Sequence, residues 1–337
     1  MVKNWDRLAK PKLLDQRICD LNLSIEGSMV EKCLNRLYRE LESKNLKLRP
    51  HCWLSDDWFS PDGIPGIAVP FYMAHPRLKR LEQKQMLEVE GGTVEWCMRI
   101  LRHEAGHALD TAFRLHRRKQ YREIFGRYNA PYPESYRPKP HSKNYVHHLE
   151  PCYAQSHPSE DFAETFAVWL NPKNGWRKDY DGWRALKKIE YVDQLMASIE
   201  RKSAPVRSRA KIDPVNKITE TLREHYEQKQ SRYGVRCTSA FDYDLKKLFS
   251  HFTESRSTTT AAAFLQKNKA DLSRSVALWT GEYRYNIGQL VREMIDRCRE
   301  LDLRAGGNEK LLKQNAIVML TVHTMNQLHG GHHRVAL

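Results

Sequence analysis

The sequence predicts a mostly helical α+β protein, and three observations predict it. Apolar residues recur at helical spacing in several segments along the chain. Only two short runs read as strands. Both runs fall within the first quarter of the 337 residues, so any sheet is small and N-terminal.

The elements follow in chain order. Ser28 and Glu31 form an S-x-x-E capping box ahead of Val30, Cys33, Leu34, Leu37, Tyr38 and Leu41, which predicts a helix. "LKLRPHCWL" reads as a strand, "SDDWFSPDGIPG" as a turn-rich loop, and "IAVPFYMAH" as a second strand. Pro70 cannot donate to a ladder, so this second strand is expected at a sheet edge or at a bulge, where it could pair with an extended substrate. A short helix at "PRLKRLEQKQML" and the Gly91-Gly92 turn lead to Thr93, an N-cap for a long helix through Val94, Cys97, Met98, Leu101 and beyond His107. Residues from about 114 to 158 read as one short helix and a long loop, "YNAPYPESYRPKPHSKNYVHH", expected to rim the site. "SEDFAETFAVWL" and "WRALKKIEYVDQLMASIE" are helical again.

"RKSAPVRSRAKIDP" is short of apolar residues and holds two prolines, which marks a boundary. The expected division is a first domain over 1–203 and a basic helical region over 204–337. In the second, Ile287, Leu290, Val291, Met294, Ile295, Cys298 and Leu301 form one apolar stripe, and a last helix runs from about Asn308 to Leu328. "SRSTTTAAA" reads as a loop feeding a helix start.

Composition narrows the class. Hydrophobic residues make up 40 %, charged residues 29 % and aromatics 10 %, the balance of a folded chain rather than a disordered one. The net charge of +15 is uneven: residues 201–337 hold 24 Lys and Arg against 14 Asp and Glu, which is two-thirds of the excess. A basic region of this kind either solvates the surface or meets nucleic acid or an acidic partner. Seven scattered cysteines without a C-x-x-C pair argue for reduced thiols and against a disulfide framework or a cysteine-rich zinc knot. The charged start, "MVKNWDRLAKPKLLDQ", does not read as a signal peptide, and "QNAIVMLTVHTMNQLHGGHH" is too interrupted by polar residues for a membrane span. The expectation is a soluble, cytoplasmic protein without membrane contact. The tail "HGGHHRVAL" could take up adventitious metal.

The chemistry concentrates at "RHEAGHALD". Residues four apart share a helical face, so His103 and His107 can offer two imidazoles to one ion with Glu104 beside them. Zinc accepts imidazole nitrogen and keeps a position for water when the protein supplies three ligands; a neighbouring carboxylate can then take the proton of that water. Downstream, "HPSEDFAETFAVWL" offers Glu160 and Glu164, again four apart: one can ligate, the other can fix a ligating imidazole's tautomer. Both also suit a helix N-terminus, Glu160 more than Glu164. His157 is an alternative third ligand. Asp110 either buttresses a ligand or faces solvent. Cys152 is a small hydrophobe or a redox-sensitive thiol.

"RHEAGHALD" followed by "YAQSHPSEDFAETFAVWL" resembles the zinc-binding metallopeptidases found in bacterial genomes and, more distantly, the lethal-factor-type zinc proteases. The similarity covers roughly residues 25 to 200. It implies a gluzincin with a zincin-like catalytic domain and one catalytic Zn2+ held by His103, His107 and Glu160. By the same resemblance Glu104 is the base that activates the water, Glu164 orients a ligating histidine, and Tyr153 assists the oxyanion. The implied activity is hydrolysis of peptide bonds in a peptide or protein substrate. Hydrolysis of a non-peptide amide, or a zinc-containing interaction protein, are the other readings the residues leave open.

Overall fold

Ser28 opens the first long helix, α1 (Met29–Ser43): its Oγ accepts from the Glu31 backbone N–H at 3.2 Å. Glu31 reaches back one residue further than the box predicts, to the Gly27 N–H at 2.8 Å. The chain is seen here as a computed structural model, which describes residues 4–133, 136, 139, 141–149, 152–173, 175–233, 241–251 and 259–329. Contacts gather these into two units, 4–82 with 89–225, and 83–88 with 226–329.

In the first unit, β1 (His51–Ser55) and β2 (Gly66–Pro70) form a two-stranded parallel sheet in which His51 faces Gly66 and Ser55 faces Pro70. Both strands are shorter than the sequence suggests. β2 stops at Pro70, which cannot extend the ladder, and Phe71–Ala74 turn instead into a 3-10 helix. Nor is β2 an open edge at Ala68, whose N–H donates to the Phe59 carbonyl at 2.8 Å on the side away from β1. That position is therefore closed to an extended substrate.

Three further helices complete the frame: α2 (Val94–Phe113), α3 (Pro158–Leu170) and α4 (Arg184–Ile199). α2 is the central element. Fourteen of its 20 residues are buried, against α1 on one side, α3 on another and β2 beneath. α3 is buried even more completely, at 12 of 13 residues, so it lies between α2 and α4 rather than at the surface. A pair of helices this enclosed excludes water from whatever lies between them.

The basic stretch expected to mark the boundary after residue 203 runs along the first unit. Val206 N–H donates to the Ala112 carbonyl, and the His51, Trp53 and Ser55 side chains bond the carbonyls of Ala210, Ile212 and Asp213 at 2.8–2.9 Å. Ile18 N–H and Leu222 N–H then pair with Glu220 and Gln16 carbonyls.

The second unit is a helical bundle of α5 (Ala261–Thr280), α6 (Arg284–Glu300) and α7 (Glu309–His329), with a short antiparallel pair β3 (Ser250–His251) and β4 (Leu303–Arg304). Thr260 caps α5 by accepting from Ala263 N–H at 3.0 Å, and Gly281 ends it at φ 70°, a conformation glycine adopts without strain. The stripe from Ile287 to Cys298 is buried as its spacing predicts. Among the described residues no helix is long and apolar enough to cross a membrane. Residues 255–258 of "SRSTTTAAA" and the tail beyond His329 lie outside the described residues.

Candidate metal centre

The site is made where α2 meets α3. Thr93 starts α2 by accepting from the Trp96 N–H, which sets the phase that carries His103 and His107 on one face a turn apart. α3 starts at Pro158, whose fixed φ suits the first helical position, with Glu160 in its first turn and Glu164 one turn on. What lets the two helices approach is Gly106, inside the H-E-A-G-H run. A Cβ there would lie 2.9 Å from Ala163 Cα and 3.2 Å from the Ala163 carbonyl oxygen. Only glycine admits that backbone approach.

Three donor atoms converge across this contact. His103 Nε2 lies 3.0 Å from Glu160 Oε2 and His107 Nε2 lies 3.1 Å from it; the two imidazole nitrogens are 3.1 Å apart. Behind them, His103 Nδ1 lies 2.8 Å from Glu164 Oε1, while Glu164 Oε2 accepts from the Leu149 N–H at 2.7 Å. A carboxylate only accepts, so Glu164 holds the His103 proton on Nδ1 and leaves the Nε2 lone pair directed at the cluster. Three electron-rich atoms packed this closely need a positive charge among them. Tetrahedral zinc with bonds of about 2.0–2.1 Å separates its ligand atoms by about 3.3 Å, close to the triangle seen here. The donor set of two imidazoles and one carboxylate fits such an ion.

The electrostatics favour a positive charge at the same place, a proton or a metal ion. Burial opposes charge on His103, yet hydrogen bonds to Glu160 and Glu164 outweigh it and hold its pKa well above the ordinary value. Burial likewise opposes the Glu160 anion, and the two histidines override it, keeping that carboxyl well below the usual range. Glu104 differs: burial dominates and raises its pKa, although His103 and His107 pull the other way. Its Oε2 is buried without a hydrogen-bond partner.

The other sequence-predicted residues divide. Tyr153, in a 3-10 turn, sets its ring against His103 with centroids 5.6 Å apart. Asp110 does not reach either histidine of the cluster. Its Oδ1 accepts from the His116 N–H at 2.7 Å and bonds His116 Nδ1 at 3.0 Å, closing the turn after α2, and that corrects the expectation of a ligand buttress. Its carboxylate is taken instead by His116, which the 3-10 turn after α2 brings back onto it. His157 is not a third ligand. Its Nε2 bonds the Ala130 carbonyl and its Nδ1 caps α3 at Ser159. Cys152 is half-buried at φ 60°.

Three residues of the site had no signal in the motif reading. Gly106 lies within the motif but not among its chemical residues. The Tyr132 hydroxyl donates to Glu160 Oε1 at 2.6 Å from the long loop. Arg102, one residue before His103, makes a buried two-point ion pair with Glu40 of α1 at 2.7 and 2.8 Å, so α2 is tied to α1 directly behind the cluster.

Comparison with curated proteins and with solved structures gives no match. Comparison with family models finds that residues 84–179, the stretch that holds α2, the loop and α3, match the family described as "Putative zinc-binding metallo-peptidase".

Proposed function

We propose that the protein is a zinc-dependent peptidase whose single metal ion is held by His103, His107 and Glu160. The observation that carries this reading is the convergence of those three donors at 3.0–3.1 Å, with Glu164 fixing one tautomer and Glu104 left unpaired beside them. The matched family of zinc-binding metallopeptidases supports it.

When bound, zinc supplies a Lewis acid and an acidified water in its fourth position. Glu104, next to His103, keeps one buried oxygen without a hydrogen-bond partner, so it would take the proton of the attacking water and pass it to the departing nitrogen. Tyr153, against the His103 ring, donates a hydrogen bond to the oxygen that gains charge. Glu164 keeps the His103 proton on Nδ1, away from the reacting atoms. The burial of these groups between α2 and α3 strengthens each of these interactions.

The test is Glu104→Gln, assayed for zinc content and for cleavage of a mixed peptide library. Zinc content is expected to stay at one ion per chain while cleavage falls by about 10²–10⁴-fold. A variant that cleaves as fast as the parent would remove Glu104 from the role.

A further inference from the structure

We infer that Tyr132, locked by His157 and Ser159, is a positioning residue that makes Glu160 a one-oxygen ligand. The inference rests on the metal-centre reading above. A carboxylate has two equivalent oxygens and can embrace an ion with both or rotate between them. Here they are not equivalent. Oε2 faces the two imidazoles, while Oε1 is turned away and takes the Tyr132 hydroxyl at 2.6 Å and the Ser159 hydroxyl at 3.2 Å. Rotation of Glu160 would break the Tyr132 bond.

Tyr132 sits on a loop and is 39 % exposed, so something must hold it. Its ring stacks on His157 with centroids 3.8 Å apart and planes 15° from parallel. His157 is itself fixed. A carbonyl only accepts, so the 2.8 Å contact to Ala130 puts the His157 proton on Nε2. Its Nδ1 then accepts from the Ser159 N–H at 3.2 Å, with the Ser159 hydroxyl 2.7 Å away. Ser159 Oγ lies 2.6 Å from the Tyr132 hydroxyl. The contacts close a ring, from loop carbonyl to His157, to Ser159, to Tyr132 and back to the loop. Tyr128 ties the same loop to Asp62. Whichever way the serine proton points, the tyrosine proton goes to Glu160, because the carboxylate can only accept.

Fixing one oxygen keeps the protein's donors at three and leaves a position for water or substrate. Outer partners of this kind change metal affinity by about 10–100-fold. This also gives the N-terminal half of the long loop a role distinct from that of Tyr153.

The test uses the full chain with Tyr132→Phe, which keeps the stacking ring and removes one oxygen. Zinc affinity is read by competition with a chromophoric chelator, and ligand geometry by the visible spectrum of the Co2+-loaded protein. The expected result is zinc binding about 10–100-fold weaker, altered Co2+ bands, and an unchanged melting temperature for the metal-free protein. Unchanged affinity and an unchanged Co2+ spectrum would overturn the inference. If Tyr132→Phe lowers the metal-free melting temperature, Ser159→Ala takes its place, with a smaller loss expected in the same direction and parent affinity again counting against it. A parent chain that binds no zinc, or binds it equally after His103→Ala, would remove the metal-centre reading and this inference together. A parent that binds zinc through His103, beside an unaffected Tyr132→Phe, would remove this inference alone.

Discussion

Two helix pairs in this molecule are packed by opposite rules. The side chains that α5 and α6 bury include Leu265, Leu272, Val276, Ile287, Leu290, Val291 and Met294, and no charged side chain of either helix is buried. Asn268 and Thr280, the buried polar residues with partners there, bond carbonyls of their own helix. α2 and α3 bury Arg102, His103, Glu104, Asp110, Glu160, Asp161 and Glu164. Burying a charge costs several kcal/mol unless it is paired, and pairing rarely does more than offset that cost. Most of these groups are paired: Arg102 with Glu40, His103 with Glu164, Asp161 with Lys188. The first pair of helices is held by burial of apolar area alone; the second accepts an electrostatic cost to bring ligands together. That difference locates the chemistry without reference to any motif.

Three substitutions sharpen the comparison. The largest effect is expected from Arg102→Met, which leaves Glu40 buried without its two-point partner. Denaturant unfolding of the first unit should show a loss of about 3–5 kcal/mol, at the low end because Arg36 still holds Glu40 Oε1 at 3.0 Å. Adding Glu40→Met should restore most of it; a double variant as unstable as the single would mean that the loss came from packing. In the second unit, Met294→Ala should cost about 2–5 kcal/mol through the cavity it leaves, measured the same way. No second substitution that adds polarity should recover that loss, and if one did, the claim of a purely apolar contact would be wrong. The smallest change in stability, about 1–3 kcal/mol, is expected from Gly106→Ala, since the new methyl meets the α3 backbone. Its consequence for the site should exceed its cost to the fold: zinc binding should weaken together with the helix contact. Parent affinity in Gly106→Ala would show that the approach of α3 is not what assembles the ligands.

Legibility in the sequence followed the range of the interaction. The capping serine and threonine at 28 and 93, the apolar stripe of α6, and the four-residue spacing of both His103/His107 and Glu160/Glu164 are local, and each could be read within a turn or two of helix. Asp110 was misread although it stands close to His107, because its partner is decided by the turn that brings His116 back. β2 ended at its proline instead of bending through it, since Pro70 has no N–H to continue the ladder. The path of residues 204–225 along the first unit depends on carbonyls meeting side chains some 160 positions away, which no local pattern encodes.

By itself, the sequence determined the type of chemistry. Two imidazoles and their neighbouring carboxylate share a helical face because the helix period puts them there, and a second carboxylate pair follows the same rule. Only the tertiary structure decided how those halves join. Gly106 lets α3 come close enough for Glu160 to reach both histidines, and a loop tyrosine restrains the carboxylate oxygen that faces away from them. Periodicity is a property of a short segment. A three-donor cluster spanning two helices is a property of backbone separation, and that is set by packing.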